Sequence, residues 1–175
     1  PVVEVRVRGP FILFGHSLGA LVAFEVARAL RSRSSVAPAL LAVSGRCSPQ
    51  GPQPPSPDPD VSDARLMEGL RRMGGTPTPV LEEPAIAELI VPPLRADYRV
   101  LASWRYSLQP PLGVPVVAYI GDADPLFSQE SVDGWAEQTT AAFDRVTLPG
   151  GHMFDERGLL NPADDLSRRL SRLLR

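Results

Sequence analysis

A serine between two glycines, at the point where an apolar strand-like run turns into an apolar helix-like run, constrains the fold of this chain most strongly. Residues 11–30 have the sequence FILFGHSLGALVAFEVARAL, in which Ser17 is two positions from Gly15 and two from Gly19. A strand, a glycine-flanked serine and a helix in this order are typical of a nucleophile elbow. Because the turn is so tight, we expect a strained backbone at Ser17 and no room for a side chain at position 15 or 19.

The position of this serine also favours chemistry. The N-terminus of a helix carries unpaired N–H groups and the positive end of the helix dipole, and both stabilise a developing oxyanion. The bare five-residue pattern is common, so a glycine-rich turn with no chemistry is the alternative. The strand before the turn and the helix after it favour a nucleophilic Ser17.

The composition sets the limits for the other functions. A chain of 175 residues can form one domain with a sizeable core, and a formal net charge of −2 argues against a nucleic-acid-binding surface. No stretch resembles a signal peptide or a membrane span, so we expect a cytoplasmic protein with no membrane contact. The lone cysteine, Cys47, cannot form an internal disulfide, and we expect a small buried residue there, not a second nucleophile.

Further apolar runs indicate the rest of the fold. Strands are predicted at residues 39–45, 114–120 and 142–148, with a polar helix at about 128–140 between the last two. A final amphipathic helix should begin at Asn161, which is a good N-cap and is followed by a proline. Strands that alternate with helices predict a mostly parallel α/β sheet.

A proline-rich stretch at residues 49–60 interrupts this alternation. Prolines remove backbone donors and fix φ, so a stiff extended linker is expected. Helical patterns follow it: one capped by Asp60 or Ser62 and ended by Gly74 and Gly75, a short one after Pro84, and one over about 94–106.

These helices divide the chain into two parts. Residues 51–111 are predicted to form a linker and a helical lid inserted into the core, which comprises residues 1–50 and 112–175. For the helix over 94–106 we favour the alternative that it completes the core.

The beginning of the chain does not fit a complete sheet. Residues 2–7 also resemble a strand, but only three residues separate them from the strand at 11–14. Two parallel neighbours need a connection of about a dozen residues or more. Either residues 2–14 form one bent strand, or the chain lacks a crossover.

A serine needs a base to act as a nucleophile at neutral pH, and the chain has only two histidines. His16 is adjacent to Ser17, and neighbouring side chains on a tight turn diverge, so it is a poor base for that serine. His152 lies in a glycine-rich loop after a predicted strand, where open α/β sheets place their reacting groups. His152 is therefore the predicted base.

Two aspartates follow the strand at 114–120 and could orient this histidine. We favour Asp124, because the residue before a proline is held extended, and we expect Asp122 to make turn hydrogen bonds. The resulting order, Ser17 then Asp124 then His152, is the chain order of α/β-hydrolases.

The sequence blocks together resemble a known family. The elbow block, the VSGR run, LRADY, GDADP with a following tryptophan, and LPGGHMF are similar to type II thioesterases, the editing enzymes of polyketide and nonribosomal peptide biosynthesis. The resemblance runs from about residue 10 to the C-terminus. It implies an α/β-hydrolase fold with a helical lid and hydrolysis of acyl or aminoacyl thioesters.

The resemblance also implies roles for particular residues and partners. Ser17 would be the nucleophile, Asp124 the orienting acid and His152 the general base, and the backbone N–H of Leu18 would form half of the oxyanion hole. The substrate would be carried on the phosphopantetheine arm of an acyl or peptidyl carrier protein, so no separate cofactor or metal is expected. A monomer is expected.

One family feature is missing from this sequence. Family members begin with a glycine-rich segment that supplies the second oxyanion N–H, and no such segment precedes Ser17 here. The chain is therefore expected to lack the first strands of the fold, and losing one oxyanion donor typically costs about a hundred- to a thousand-fold in turnover.

Three functional hypotheses follow, in this order. The first is a thioesterase acting on carrier-bound acyl groups. The second is a catalytically impaired fragment that at most binds carrier protein, and the third is a generic carboxylester hydrolase.

Overall fold

The computed structural model describes residue 7 and residues 9–33, 36–55, 58–154 and 161–173. Almost all of the strand predicted at residues 2–7 lies outside these described residues. The interpretation that depends on it, one bent strand or a missing crossover, therefore stays a prediction.

Strands and helices alternate along the chain, as the sequence predicts. The strands are β1 (Ile12–His16), β2 (Leu40–Ser44), β3 (Val116–Gly121) and β4 (Phe143–Leu148). The helices are α1 (Leu18–Arg33), α2 (Asp63–Met73), α3 (Thr78–Leu81), α4 (Pro84–Ser103), α5 (Gln129–Asp133) and α6 (Pro162–Leu173), with a 3₁₀ helix at Gly134–Gln138.

The described strands form one parallel sheet in the order β1-β2-β3-β4. The pairing aligns the strand ends, with His16 opposite Ser44 and Ser44 opposite Tyr119. The carboxyl ends therefore meet at one edge, where parallel α/β sheets carry their sites. The predicted parallel α/β sheet with flanking helices is confirmed.

The two central strands of the sheet are buried on both faces, and neither β2 nor β3 has an exposed residue. Alternate residues point to opposite sides. Leu41 and Val43 pack with Phe24 and Trp135 in one apolar cluster, whereas Leu40 and Ala42 pack in a second cluster toward Leu166 of α6. Apolar runs without polar alternation, as in residues 39–45, follow from burial on both faces.

Residues 20–30 of helix α1 are apolar almost all round, and Glu25 and Arg28 are the polar exceptions. Arg28 is in fact only 4% exposed. Its guanidinium pairs with Glu25 (3.1 Å), donates to the Ser107 carbonyl (2.5 Å) and lies over the Phe24 and Tyr106 rings. A charge can be buried here because hydrogen bonds and aromatic faces replace its water.

The helices of the insertion differ from their prediction in where they begin and end. Two helices were expected after Pro84, but α4 continues through Pro92 and Pro93. Each proline removes one backbone hydrogen bond and normally kinks or ends a helix. The apolar face of α4 packs on α2 on both sides of the proline pair, through Ile90 before it and Leu94 after it, and we attribute the continuity to this packing.

The helices of the insertion have their own apolar cluster. Leu66 and Met67 of α2 and Val91 of α4 are buried together, with Leu94 and Tyr98 packed against them. The preference for a core-completing helix over residues 94–106 is therefore wrong for Leu94 and Tyr98. Only Tyr106, beyond the end of α4, packs against the main cluster.

Two predicted caps behave differently. Asn161 Oδ1 accepts a hydrogen bond from the Asp164 N–H (3.0 Å), so the start of α6 is confirmed. Ser62 is the N-cap of α2, but its side chain makes no capping hydrogen bond. The C-terminal stop of α2 is confirmed, because Gly74 has a φ of 75° and Gly75 a φ of 83°.

A polar network joins α6 to the sheet. Tyr119 is buried in β3, and its hydroxyl donates to Asp165 Oδ2 (2.8 Å). Arg169 donates to the same oxygen and to Asp144 of β4 (both 2.5 Å). Burial is the largest cause that raises the pKa of Tyr119, and the Asp165 hydrogen bond raises it further.

Replacing this phenol should weaken the attachment of α6. We expect Tyr119→Phe to lower the free energy of unfolding by about 2 kcal/mol, because one hydrogen bond to a charged acceptor is lost. Urea unfolding measures it. Tyr98→Phe is the matched control, since no hydrogen bond of the Tyr98 hydroxyl is found among the described residues, and equal stability of both variants would contradict the expectation.

Candidate active site

The turn between β1 and α1 has the strained geometry of a nucleophile elbow. Ser17 has a φ of 54°, in the left-handed region that residues with side chains rarely occupy. Its N–H donates to the Ser44 carbonyl (2.8 Å), and its own carbonyl accepts from the Ala20 N–H (3.1 Å). These two bonds hold the serine between the end of β2 and the first turn of α1.

The two glycines that flank this serine differ. A Cβ at Gly15 would lie 1.9 Å from the Gly19 carbonyl oxygen, so only glycine fits there. A Cβ at Gly19 would meet nothing within 4 Å. The predicted crowding is confirmed at position 15 and wrong at position 19, because Gly19 lies in the first turn of α1 with open space around it.

The predicted acid and base are in contact. His152 Nδ1 lies 3.0 Å from Asp124 Oδ2, and their side chains are 2% and 0% exposed. The other oxygen, Asp124 Oδ1, accepts from the Leu126 N–H (2.8 Å) and fixes the carboxylate. With a carboxylate as acceptor, Nδ1 carries the proton, which leaves Nε2 free to accept one.

The loop that carries His152 approaches the end of β3 closely. A Cβ at Gly121 would lie 2.2 Å from the Gly151 carbonyl oxygen, so this approach requires glycine. Asp122 Oδ1 accepts from the Gly150 N–H (2.9 Å) and ties the two loops together. Asp122 thus makes a hydrogen bond across to the histidine loop, where a hydrogen bond within its own turn was predicted.

The three predicted residues lie at one edge of the sheet but are not all in contact. Among the described residues, no hydrogen bond joins the Ser17 hydroxyl to His152. The His152 ring instead contacts His16, the neighbour of Ser17, at 4.8 Å between ring centroids. Catalytic hydrogen bonds are often long before substrate binds, so this geometry is compatible with a serine–histidine pair.

The Leu18 backbone is placed for an oxyanion. It is the first residue of α1, and its N–H has no hydrogen-bond acceptor among the described residues. The N–H that follows the nucleophile at a helix start is the usual first donor of an oxyanion hole in this kind of elbow.

Cys47 and Arg46 lie just beyond β2. Cys47 is a free, buried cysteine whose Sγ lies 3.3 Å from Gln53 Oε1, and burial raises the pKa of its thiol. A buried thiol of raised pKa is a weak nucleophile. The prediction of a buried residue at position 47 is confirmed.

Similarity to known proteins shows the family of this chain. The family model described as a thioesterase domain matches residues 4–160. The chain belongs to the thioesterase family. The parallel sheet with flanking helices matches that of structural neighbours of the α/β-hydrolase type.

The relatives come from antibiotic and related biosynthesis. The gramicidin S biosynthesis protein GrsT of Aneurinibacillus migulanus is 38% identical over 152 residues, which are 87% of this chain and 59% of that protein. The thioesterase PikA5 of Streptomyces venezuelae is 36% identical over 151 residues, or 83% of this chain and 52% of that protein. The chain thus spans little more than half the length of these relatives.

Solved structures of thioesterases are also similar. RedJ, a thioesterase from the prodiginine pathway of Streptomyces coelicolor, is 37% identical with a TM-score of 0.81, over 98% of this chain and 62% of that one. BorB, a type II thioesterase from the borrelidin cluster, is 34% identical with a TM-score of 0.83, over 100% of this chain and 69% of that one.

The described residues contain neither a candidate metal site nor a candidate membrane span. No group of three or more metal-ligating side chains occurs in the described ranges. None of the helices described is long and apolar enough to cross a membrane.

The two elbow glycines should respond oppositely to alanine. Gly15→Ala should prevent folding or lower stability by several kcal/mol, since a backbone must move to admit the Cβ. Gly19→Ala should be neutral or stabilise by up to about 1 kcal/mol, as alanine is the better helix former. Thermal unfolding of both variants beside the parent chain tests this, and a strongly destabilised Gly19→Ala would refute the assignment of open space.

Proposed function

We propose that this thioesterase-family chain hydrolyses acyl or aminoacyl thioesters carried on the phosphopantetheine arm of acyl or peptidyl carrier proteins. The observation that carries the proposal is the buried Asp124–His152 pair at the sheet edge that also presents Ser17 in a strained turn. The thioester is the substrate and brings the phosphopantetheine, so the chain needs no cofactor of its own for this reaction.

The residues divide the reaction into two steps. His152 Nε2 takes the proton of the Ser17 hydroxyl as the oxygen attacks the thioester carbonyl, and the oxyanion faces the Leu18 N–H. The C–S bond breaks, His152 gives its proton to the leaving sulfur, which departs as the thiol, and an acyl-serine remains. Water then attacks this ester with His152 as base, which releases the acid and restores Ser17.

Asp124 has an electrostatic and an orienting role in both steps. Its carboxylate accepts from Nδ1–H and keeps the basic lone pair on Nε2. The negative charge also stabilises the imidazolium that forms when His152 holds the serine proton. Burial strengthens this interaction, because little water screens the pair.

The relatives support the choice of substrate and partner. YbtT is described as a type II thioesterase of the yersiniabactin nonribosomal peptide and polyketide pathway, and this chain is 28% identical to it with a TM-score of 0.78. Similarity to a thioesterase of such a pathway supports a carrier protein as the partner of this chain. The proposal includes a monomeric, cytoplasmic enzyme that meets its carrier protein in the cell interior.

The insertion is proposed to be a lid. Its support is a contact between the end of α2 and the histidine loop: a Cβ at Gly75 would lie 2.7 Å from Met153 Cγ. Met153 is adjacent to His152, so the insertion touches the loop of the proposed base. The separate apolar cluster of α2 and α4 allows these helices to move as a unit.

Loss of the nucleophile or of the acid should abolish turnover. Ser17→Ala should release no acyl group from an acetylated carrier protein, and Asp124→Asn should slow release by about ten-thousand-fold because the histidine tautomer is no longer fixed. Asp122→Asn is the control, since an asparagine oxygen can still accept from Gly150. We expect it to cost no more than about tenfold, the equivalent of one neutral hydrogen bond.

Two assays separate the proposal from its alternatives. Release of acetate from the carrier protein is followed beside labelling of Ser17 by a fluorophosphonate, which needs an activated serine. Labelling with release of nitrophenyl esters but not of carrier thioesters would favour a carboxylester hydrolase. Neither labelling nor release by the parent chain would indicate an impaired fragment.

The lid contact gives a further expectation. Gly75→Ala and Gly74→Ala both place alanine at a positive φ, so both variants carry backbone strain. Only the Cβ at position 75 meets Met153, and at position 74 it meets nothing within 4 Å. Gly75→Ala should therefore slow fluorophosphonate labelling at least about tenfold relative to Gly74→Ala, and equal rates would contradict the lid contact.

A further inference from the structure

His16 takes no part in the mechanism above, although it lies next to Ser17. His16 is the last residue of β1, and its ring points toward Ser44 at the end of β2. Because neighbouring side chains on a tight turn diverge, His16 is a poor base for Ser17. The structure places it where it can act on the other histidine.

One nitrogen of His16 is anchored. Nδ1 lies 3.0 Å from the hydroxyl oxygen of Ser44, which is buried at the end of β2. The backbone of Ser44 is itself fixed, because its carbonyl accepts from the Ser17 N–H (2.8 Å). Ser44 therefore holds the nucleophile turn through its backbone and the His16 ring through its side chain.

The other face of His16 meets the catalytic imidazole. The rings of His16 and His152 are 4.8 Å apart with an interplanar angle of 49°. Gly45 leaves room for both: a Cβ there would lie 2.6 Å from His16 Cε1 and 3.1 Å from His152 Cε1. Gly45 has a φ of 56°, so a side chain is disfavoured there by conformation as well as by space.

The charge state of His16 suits this contact. Burial is the largest cause that lowers its pKa to about 4; the charge of His152 lowers it as well, and Asp124 opposes both. The Phe154 ring packs edge-on against the His16 ring. The Nε2 atom of His16 is buried, and no hydrogen-bond partner for it is found among the described residues. His16 is therefore neutral near pH 7 and does not repel the imidazolium that His152 becomes during the reaction.

We infer that His16 is a positioning residue: its ring, anchored on Ser44, packs against the His152 imidazole and supports it. The inference rests on the proposed function, since it concerns the base of that reaction. Asp124 fixes one ring nitrogen but leaves the ring free to rotate about that bond. Contact with His16 restricts this rotation and keeps Nε2 directed at the serine side.

Three substitutions of His16 separate the ring from its anchor. His16→Phe keeps a ring against His152 but loses the bond to Ser44, whereas His16→Asn keeps a polar group near Nδ1 but loses the ring. We expect His16→Ala and His16→Asn to slow fluorophosphonate labelling of Ser17 about tenfold or more, and His16→Phe about threefold. The fraction of protein labelled at completion should stay that of the parent chain, because a structural defect lowers this fraction and not the rate constant.

Ser44→Ala tests the anchor. It removes the same hydrogen bond as His16→Phe, so the double variant should label no more slowly than either single variant. The inference is overturned if His16→Ala labels at the parent rate, or if the effects of His16→Phe and Ser44→Ala multiply.

A spectroscopic measurement keeps the test independent of the proposed substrate. The Nδ1 proton of His152, bonded to Asp124, should give a far-downfield NMR signal in the parent chain. We expect it to broaden or disappear by faster exchange in His16→Ala and to persist in His16→Phe. Absent carrier hydrolysis with this pattern would sink the proposed function alone, and an unchanged signal in His16→Ala would sink the role of His16.

Discussion

The candidate site depends on close backbone approach at the carboxyl edge of the sheet. At Gly15 and Gly121 a Cβ would lie 1.9 and 2.2 Å from a carbonyl oxygen, and at Gly45 it would lie 2.6 Å from the His16 ring. Gly15 lies within β1, Gly45 directly follows β2 and Gly121 ends β3, so three neighbouring strands contribute one glycine each. The space they leave is filled by the elbow turn, the His16 and His152 rings and the histidine loop.

Packing this edge so tightly also sets its electrostatics. The Asp124 and His152 side chains are almost fully buried, so their attraction is little screened and both oxygens of the carboxylate are satisfied. A second buried imidazole beside them would be destabilising if it were charged. The low pKa of His16 keeps its ring neutral near pH 7, so it does not repel a charged His152. Burial brings the two rings together and is also the main cause of this low pKa.

The sequence predicted what short-range patterns encode. The elbow, the four described strands and the Asp124–His152 pair follow from apolar runs, glycine spacing and positions at strand ends. The continuity of α4 through Pro92 and Pro93 did not, because it depends on packing against α2, which no local propensity reports. The open space at Gly19, the burial of Arg28 and the contact of His16 with His152 are likewise tertiary facts. Gly45 is a sequence signal for the contact between His16 and His152, because a side chain there would meet both rings. This signal can be interpreted only when the fold is known.

The insertion and the sheet are stabilised by separate apolar clusters, and this separation has a functional consequence. A lid that shared the main core could move only by disrupting it, whereas α2 and α4 can shift with their own cluster intact. The close approach of Gly75 to Met153 joins the insertion to the loop of His152, whose other supports are Asp122, Asp124 and His16. Three of these four supports come from the sheet edge and one from the insertion. The His152 loop is therefore held mainly by the core, and the insertion adds one contact to it.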